Sequence, residues 1–160
     1  MPSNSPIREK LSFPPSSSNA SDMESPKYSF ELKSDLSELK TLYQHLNKFG
    51  RGNGLSEACI TDVNICLDEL FTNIASHGFV DDSEHSIRFT LHLDDNVLTL
   101  NIEDHGIPFN PLEKEDPEIP ADLIDVKIGG LGIHIVRTLM DDIRYERKQG
   151  RNRLTLKKFI

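Results

Sequence analysis

The stretch Glu69-Leu70-Phe71-Thr72-Asn73-Ile74-Ala75-Ser76-His77-Gly78 decides how the rest of the chain is read. Glu69, Asn73 and His77 stand four residues apart, so on an α-helix they project from one side. Val63, Leu67, Leu70 and Ile74 recur at the same period and form a core stripe roughly opposite. The spacing predicts a helix from near Ser56 to His77, ended by Gly78. Read by itself, the polar trio is a solvated helix face, because polar residues at helical spacing are common.

Working outward, Tyr28, Phe30 and Leu32 alternate with polar residues and predict a strand with one buried face. A helix follows, with Ser34 or Asp35 as N-cap and Leu36, Leu39, Leu42, Tyr43 and Leu46 at helical spacing, and Gly50, Gly52 and Gly54 break it. Beyond the central helix, Ile87, Phe89, Leu91 and Leu93 alternate, then Val97 and Thr99, then Leu100 with Ile102, across Asp94-Asp95-Asn96: a hairpin. A long aperiodic stretch with Pro108, Pro111, Pro117 and Pro120 comes next, of the kind that serves as a lid or working loop. A third helix begins in Gly129-Gly130-Leu131-Gly132 and runs through Ile133, Val136 and Met140. Two strands, near Asp142 to Arg147 and Asn152 to Phe159, close the domain around Gln149-Gly150. This order implies a two-layer α/β (α+β) sandwich, a mixed and mostly antiparallel sheet covered on one face by about three helices. Residues 1–23, rich in Ser and Pro and poor in large apolar side chains, are expected to be a disordered tail ahead of one domain over residues 24–160.

Bulk properties narrow the chemistry. A chain of 160 residues suits one domain with a real core. No apolar run approaches the roughly 20 residues of a membrane helix, and no signal peptide is readable. A soluble, cytoplasmic protein is expected. The net charge of −8 works against direct binding to nucleic acid or anionic lipid, although backbone N–H groups and one metal ion can neutralise a triphosphate locally. Cys59 and Cys66 have neither redox nor zinc spacing and read as buried free thiols. The histidines His45, His85, His92, His105 and His134 lack metal-ligand spacing.

Three elements carry candidate chemistry. On the central helix, the Asn73 amide oxygen is a neutral hard ligand suited to Mg²⁺, and the Glu69 carboxylate one turn away can take a proton from an attacking hydroxyl. His77, near the helix C-terminus, also suits a cap that meets the dipole. At the end of a strand, Asp104-His105-Gly106 offers a carboxylate for an exocyclic amine and a glycine that lets a flat base approach, although the same triplet ends ordinary strands. In Gly129-Gly130-Leu131-Gly132, glycines at a helix N-terminus free amides to face phosphate. The Walker spacing is absent, as is the motif set of eukaryotic-type kinases.

In order, Glu69-Leu70-Phe71-Thr72-Asn73, Asp104-His105-Gly106 and Gly130-Leu131-Gly132-Ile133 resemble the N, G1 and G2 boxes of the GHKL superfamily. The finer resemblance is to RsbW/SpoIIAB-type anti-sigma serine kinases. It runs through His77-Gly78, Gly106-Ile107-Pro108-Phe109-Asn110-Pro111, Gly129 to Val136, and Tyr145-Glu146-Arg147 with Asn152-Arg153-Leu154-Thr155-Leu156, covering roughly residues 24–160.

The resemblance implies a Bergerat ATP-binding fold with Glu69 as general base and Asn73 as Mg²⁺ ligand. It implies Asp104 as adenine contact with Gly106 beneath the base, Gly130, Leu131 and Gly132 at the phosphates, and His77 within the nucleotide site. Thr155 resembles the residue that helps Asp104 hold the adenine. Family members phosphorylate a STAS-domain anti-anti-sigma protein, and their ATP-bound dimers hold a sigma factor, so ATP, Mg²⁺, those two partners and a homodimer are implied here. Pro108 stands where many GHKL proteins carry a second glycine, a position that commonly varies in the anti-sigma branch. The alternative is an ATP-dependent module that sequesters a partner without phosphorylating it.

Overall fold

A computed structural model describes residues 24–113, 115 and 131–160. The expected tail over residues 1–23, together with Gly129, Gly130 and most of the expected lid, lies outside the described residues. The first strand, β1 (Lys27–Lys33), presents Leu32 to the core with Tyr28 and Phe30 partly buried beside it. Asp35 then caps a short 3₁₀ turn, Leu36–Glu38, its carboxylate accepting the Ser37 amide at 2.8 Å. The helix α1 (Leu39–Gly52) starts only after that turn. The tighter turn takes Leu36 out of phase with the apolar stripe, and Leu36, expected inside, is 47% exposed, whereas Leu42 and Leu46 are fully buried.

The central helix α2 (Glu57–His77) keeps its predicted bounds because its ends are chemically marked. Ser56 accepts the Cys59 amide at 3.1 Å, an N-cap bond of the kind worth about 1 kcal/mol. Val63, Leu67, Leu70 and Phe71 go inward, and Ile74 is partly buried against the same core. Cys59 and Cys66 are buried free thiols, and burial pushes the Cys66 thiol up to about 12, so it stays protonated.

The strands β2 (Ser86–Asp94), β3 (Val97–Asp104), β4 (Asp142–Lys148) and β5 (Arg151–Phe159) join β1 in a sheet of order β1-β2-β3-β5-β4. The two-layer sandwich is as expected, with one correction: all four pairings are antiparallel, with no parallel pair among the described residues. The β4–β5 hairpin lays β5 against β3 and leaves β4 at the edge, so antiparallel neighbours result throughout. Its turn at Gln149-Gly150 has φ of 52° and 73°, the positive pair that a two-residue hairpin compatible with strand twist requires.

One register detail positions the site. The inward residues of β3 are Leu98, Leu100, Ile102 and Asp104, while Val97 and Thr99 belong to the other face. Because side chains alternate strictly, a strand whose leucines face the helices must turn Asp104 the same way. On β5 the same parity buries Asn152, Leu154 and Leu156. The helix α3 (Leu131–Leu139) packs Ile133 and Val136 into the core beside α2. Lys158 from β5 donates to the Leu139 carbonyl at 2.8 Å and pairs with Asp62 at 3.0 Å, which ties the C-terminus of α3 to α2.

Candidate functional site

Between α2, the ends of β3 and β5, and the loop after β3 lies a cavity of about 150 Å³, a volume on the scale that admits one aromatic ring. Its walls are mainly apolar, with Leu70, Ile74, Ile102, Ile107 and Leu154 among them, and Asn73, His77, Asp104, Tyr145 and Asn152 supply its polar groups. An apolar hollow with a few converging polar groups is the ordinary form of a small-molecule site. Asn73 and Asp104, 31 positions apart in the chain, face this same space.

Asp104 is 5% exposed, and its two oxygens are used differently. Oδ1 accepts the Gly106 amide at 2.8 Å and the Asn152 Nδ2 at 2.9 Å. Oδ2 takes no hydrogen bond from the described residues and stays open to the cavity. The Asn152 amide is fully used. Its Nδ2 also donates to the Ile107 carbonyl at 2.8 Å, and its Oδ1 accepts the Tyr145 hydroxyl at 2.8 Å and Arg147 Nη1 at 2.7 Å. Arg147 Nη1 also donates to the Gly106 carbonyl at 3.1 Å.

Gly106 is held from the other side by α2. The Ile107 amide donates to the Gly78 carbonyl at 2.8 Å, and a Cβ on Gly106 would run into that same carbonyl oxygen. The glycine is therefore a packing requirement of the turn. At the opposite end of the helix face, the Glu69 carboxylate sits where a Cβ on Gly132 would be, against the first turn of α3. Helix rise separates Glu69 from His77 by about 12 Å, so the two occupy opposite ends of the groove. The Asn73 side chain lies between them and makes no hydrogen bond to another described residue.

Asn73, His77 and Asp104 line the cavity; Gly106 packs against Gly78 and Asp104; Glu69 meets Gly132, and neither of these two lines the cavity. Gly130 lies outside the described residues. Thr155 requires a correction. Its hydroxyl donates to Asn101 Oδ1 at 2.8 Å on the open face of the sheet, and the residue that holds Asp104 is Asn152. Thr155 has the wrong parity, three positions from Asn152 on a strand of period two. A signal was present in the sequence: Asn152 is a lone polar residue in phase with Leu154 and Leu156. Tyr145 and Arg147 carried no such signal, because their value depends on the β4–β5 register that sets Tyr145 opposite Leu154 and Arg147 opposite Asn152.

Part of the loop after β3 is described. It forms a short turn at Pro111–Glu113, and Arg137 of α3 donates to the Leu112 carbonyl at 2.7 Å. Among the described residues no cluster of three His, Cys, Asp or Glu side chains could cage a metal, and no helix is long and apolar enough to cross a membrane.

A fold of this kind, with a carboxylate and an asparagine facing one ring-sized cavity, defines a class, and the family comparison agrees: residues 32–158 match the histidine kinase-like ATPase domain, and the chain belongs to that family. Among individual relatives, it is 33% identical over 94 residues to serine/threonine-protein kinase BtrW of Bordetella bronchiseptica, covering 59% of this chain and 66% of that protein. It is 29% identical over 101 residues to serine-protein kinase RsbW of Listeria innocua, covering 61% of this chain and 64% of that one. The chain thus spans somewhat under two thirds of the length of these relatives. The crystal structure of the RsbU and RsbW domains of a Mycobacterium tuberculosis protein superposes with a TM-score of 0.60 at 18% identity, covering 84% of this chain and 32% of that one. At that identity the likeness concerns the fold.

Proposed function

We propose that this chain is an ATP- and Mg²⁺-dependent serine/threonine protein kinase acting as an anti-sigma factor, and that it phosphorylates a STAS-domain anti-anti-sigma partner. The observation that carries the reading is the buried Asp104 carboxylate, with one oxygen locked and the other open to an apolar hollow of ring size. A carboxylate oxygen facing an apolar hollow is best matched by a donor, and the exocyclic amine of adenine would supply one while its ring fills the apolar walls. The names of the kinase relatives support the same reading.

The donor chemistry also fits a magnesium ion held chiefly by phosphates and water, which asks little more of a protein than one hard oxygen. Asn73 would hold it, and Mg²⁺, when bound, neutralises phosphate charge. His77 and Asp104 take the base end of the groove. The first-turn amides of α3 at Leu131 and Gly132 would meet the phosphates, favoured there by the helix dipole, and the motif assigns Gly130 to the same task. Glu69, seated against that turn, accepts the proton of the incoming serine hydroxyl as its oxygen bonds to the γ-phosphorus and the bond to the β-phosphate oxygen breaks, releasing ADP. The reading implies a cytoplasmic protein, a sigma factor as second partner and a homodimer as the working form.

Incubation with radiolabelled ATP and a STAS-domain partner tests the reading directly, with label expected on a partner serine. Glu69→Gln is expected to keep ATP binding while lowering transfer by roughly 10²–10⁴. Normal transfer by that variant would remove Glu69 from the base role. ATP-dependent capture of the partner with no label would put a sequestering module in the kinase's place.

A further inference from the structure

The base end of the groove is held from the sheet edge by side chains that touch no reacting atom. Asn152 has both of its donors and both of its acceptor positions occupied: Asp104 and Ile107 on one side, Tyr145 and Arg147 on the other. Arg147 closes a ring of contacts by gripping the Gly106 carbonyl with the same nitrogen that holds Asn152. The segment from Asp104 to Ile107 is therefore fixed at its carboxylate and at two of its carbonyls by one hairpin, while α2 holds it through Gly78.

We infer that Tyr145, Asn152 and Arg147 form a clamp that decides which nucleobase the pocket accepts, by keeping Asp104 Oδ1 occupied and leaving Oδ2 as the single free acceptor. The inference rests on the nucleotide reading above and adds the device that enforces it. Were the clamp loosened, Asp104 could rotate about its side-chain torsions and offer either oxygen to water, and the turn carrying Gly106 could drift. A fixed acceptor distinguishes a base bearing an exocyclic amine from one bearing a carbonyl at that place, because the second leaves two acceptors facing each other. A mobile carboxylate distinguishes them poorly, since it can turn away from the mismatch. Arg147 acts through Asn152 and the Gly106 carbonyl, and Tyr145 through Asn152, so they are positioning residues.

The experiment is calorimetric binding of ATP and of inosine triphosphate, in the presence of Mg²⁺, to the full chain and to Arg147→Ala, Arg147→Lys and Tyr145→Phe. Inosine triphosphate replaces the amine with a carbonyl and keeps the phosphates. The wild type is expected to favour ATP. Arg147→Ala is expected to weaken ATP binding about tenfold with little change for inosine triphosphate, so the preference shrinks by the same factor. Arg147→Lys restores part of it, and Tyr145→Phe, which removes one hydroxyl from the surface of the cavity, gives a smaller loss in the same direction. Thermal melts confirm that each variant is folded, and Tyr145→Phe still tests the clamp if Arg147→Ala does not fold. An undiminished ATP preference in the folded variants overturns the clamp and leaves the pocket intact as a nucleotide site. Failure of the wild type to bind ATP at all overturns the nucleotide reading, and the clamp's role with it.

Discussion

Glu69 and Gly132 make the sharpest contact for a residue-level test, because two far-separated positions meet there with no space between them. A Cβ at position 132 falls on the Glu69 carboxylate, and a carboxylate is the flexible end of its side chain, so it can swing aside. The helix itself gains up to about 1 kcal/mol from replacing glycine with alanine. Gly132→Ala is therefore expected to leave denaturant stability unchanged or slightly higher while phosphoryl transfer drops on the order of 10²-fold from a displaced base. An urea titration run alongside a transfer assay checks it, and equal transfer rates would show that Glu69 does not need its observed seat. Motif order singled out Glu69, Asn73, Asp104 and Gly132 as candidates, and the phase of β5 marked Asn152, whereas Tyr145 and Arg147 acquire meaning only through contacts on neighbouring strands.

At the scale of elements, α1 is fastened to β1 by a titratable group. His45 Nδ1 lies 2.6 Å from the Tyr28 hydroxyl, and its ring stacks on Phe30 at a centroid distance of 4.0 Å. Burial lowers its pKa below the ordinary 6.5, Lys48 adds to the shift, and Glu38 opposes it. The folded state thus prefers the neutral ring. Stability from this contact is fully present above pH 6.5 and falls as the pH drops below it, because the unfolded chain takes up the proton more readily. Denaturation midpoints measured from pH 7.5 down to 5.5 are expected to decline more steeply for the wild type than for His45→Gln. Parallel declines would mean that the proton taken up on unfolding belongs to another group. Element order and type were legible in the sequence wherever the apolar period was clean, as in α2 and β2. The helical phase was misread where a local turn reset it, at Leu36 before α1.

For the whole molecule, the groove is assembled from α2, β3, β5 and the start of α3, so a ligand that fills it bridges both layers of the sandwich. Anything that binds the folded chain and not the unfolded one stabilises it by mass action, about 2.7 kcal/mol at a concentration one hundred times Kd. Mg-ATP at that excess is expected to raise Tm by several degrees, and Asp104→Asn, whose amide oxygen would take the two donors on Oδ1 and leave a donating NH2 in place of the free acceptor, is expected to abolish most of the rise. A thermal shift series checks this; a Tm indifferent to Mg-ATP in the wild type would speak for a scaffold without nucleotide.

The sequence alone determined the order of strands and helices, the ends of α2, and the three stretches bearing Glu69 and Asn73, Asp104 and Gly106, and Leu131 and Gly132, because helical period, caps and glycines are local properties. Tertiary structure decided that Asn73 and Asp104 share one cavity, that every strand pair among the described residues is antiparallel, and that Asn152 and not Thr155 holds Asp104. Those outcomes depend on which strand lies beside which and in what register. Side chains on a strand alternate between faces, so one residue of phase, fixed by pairing partners distant in the chain, moves a group from the pocket to the opposite side of the sheet.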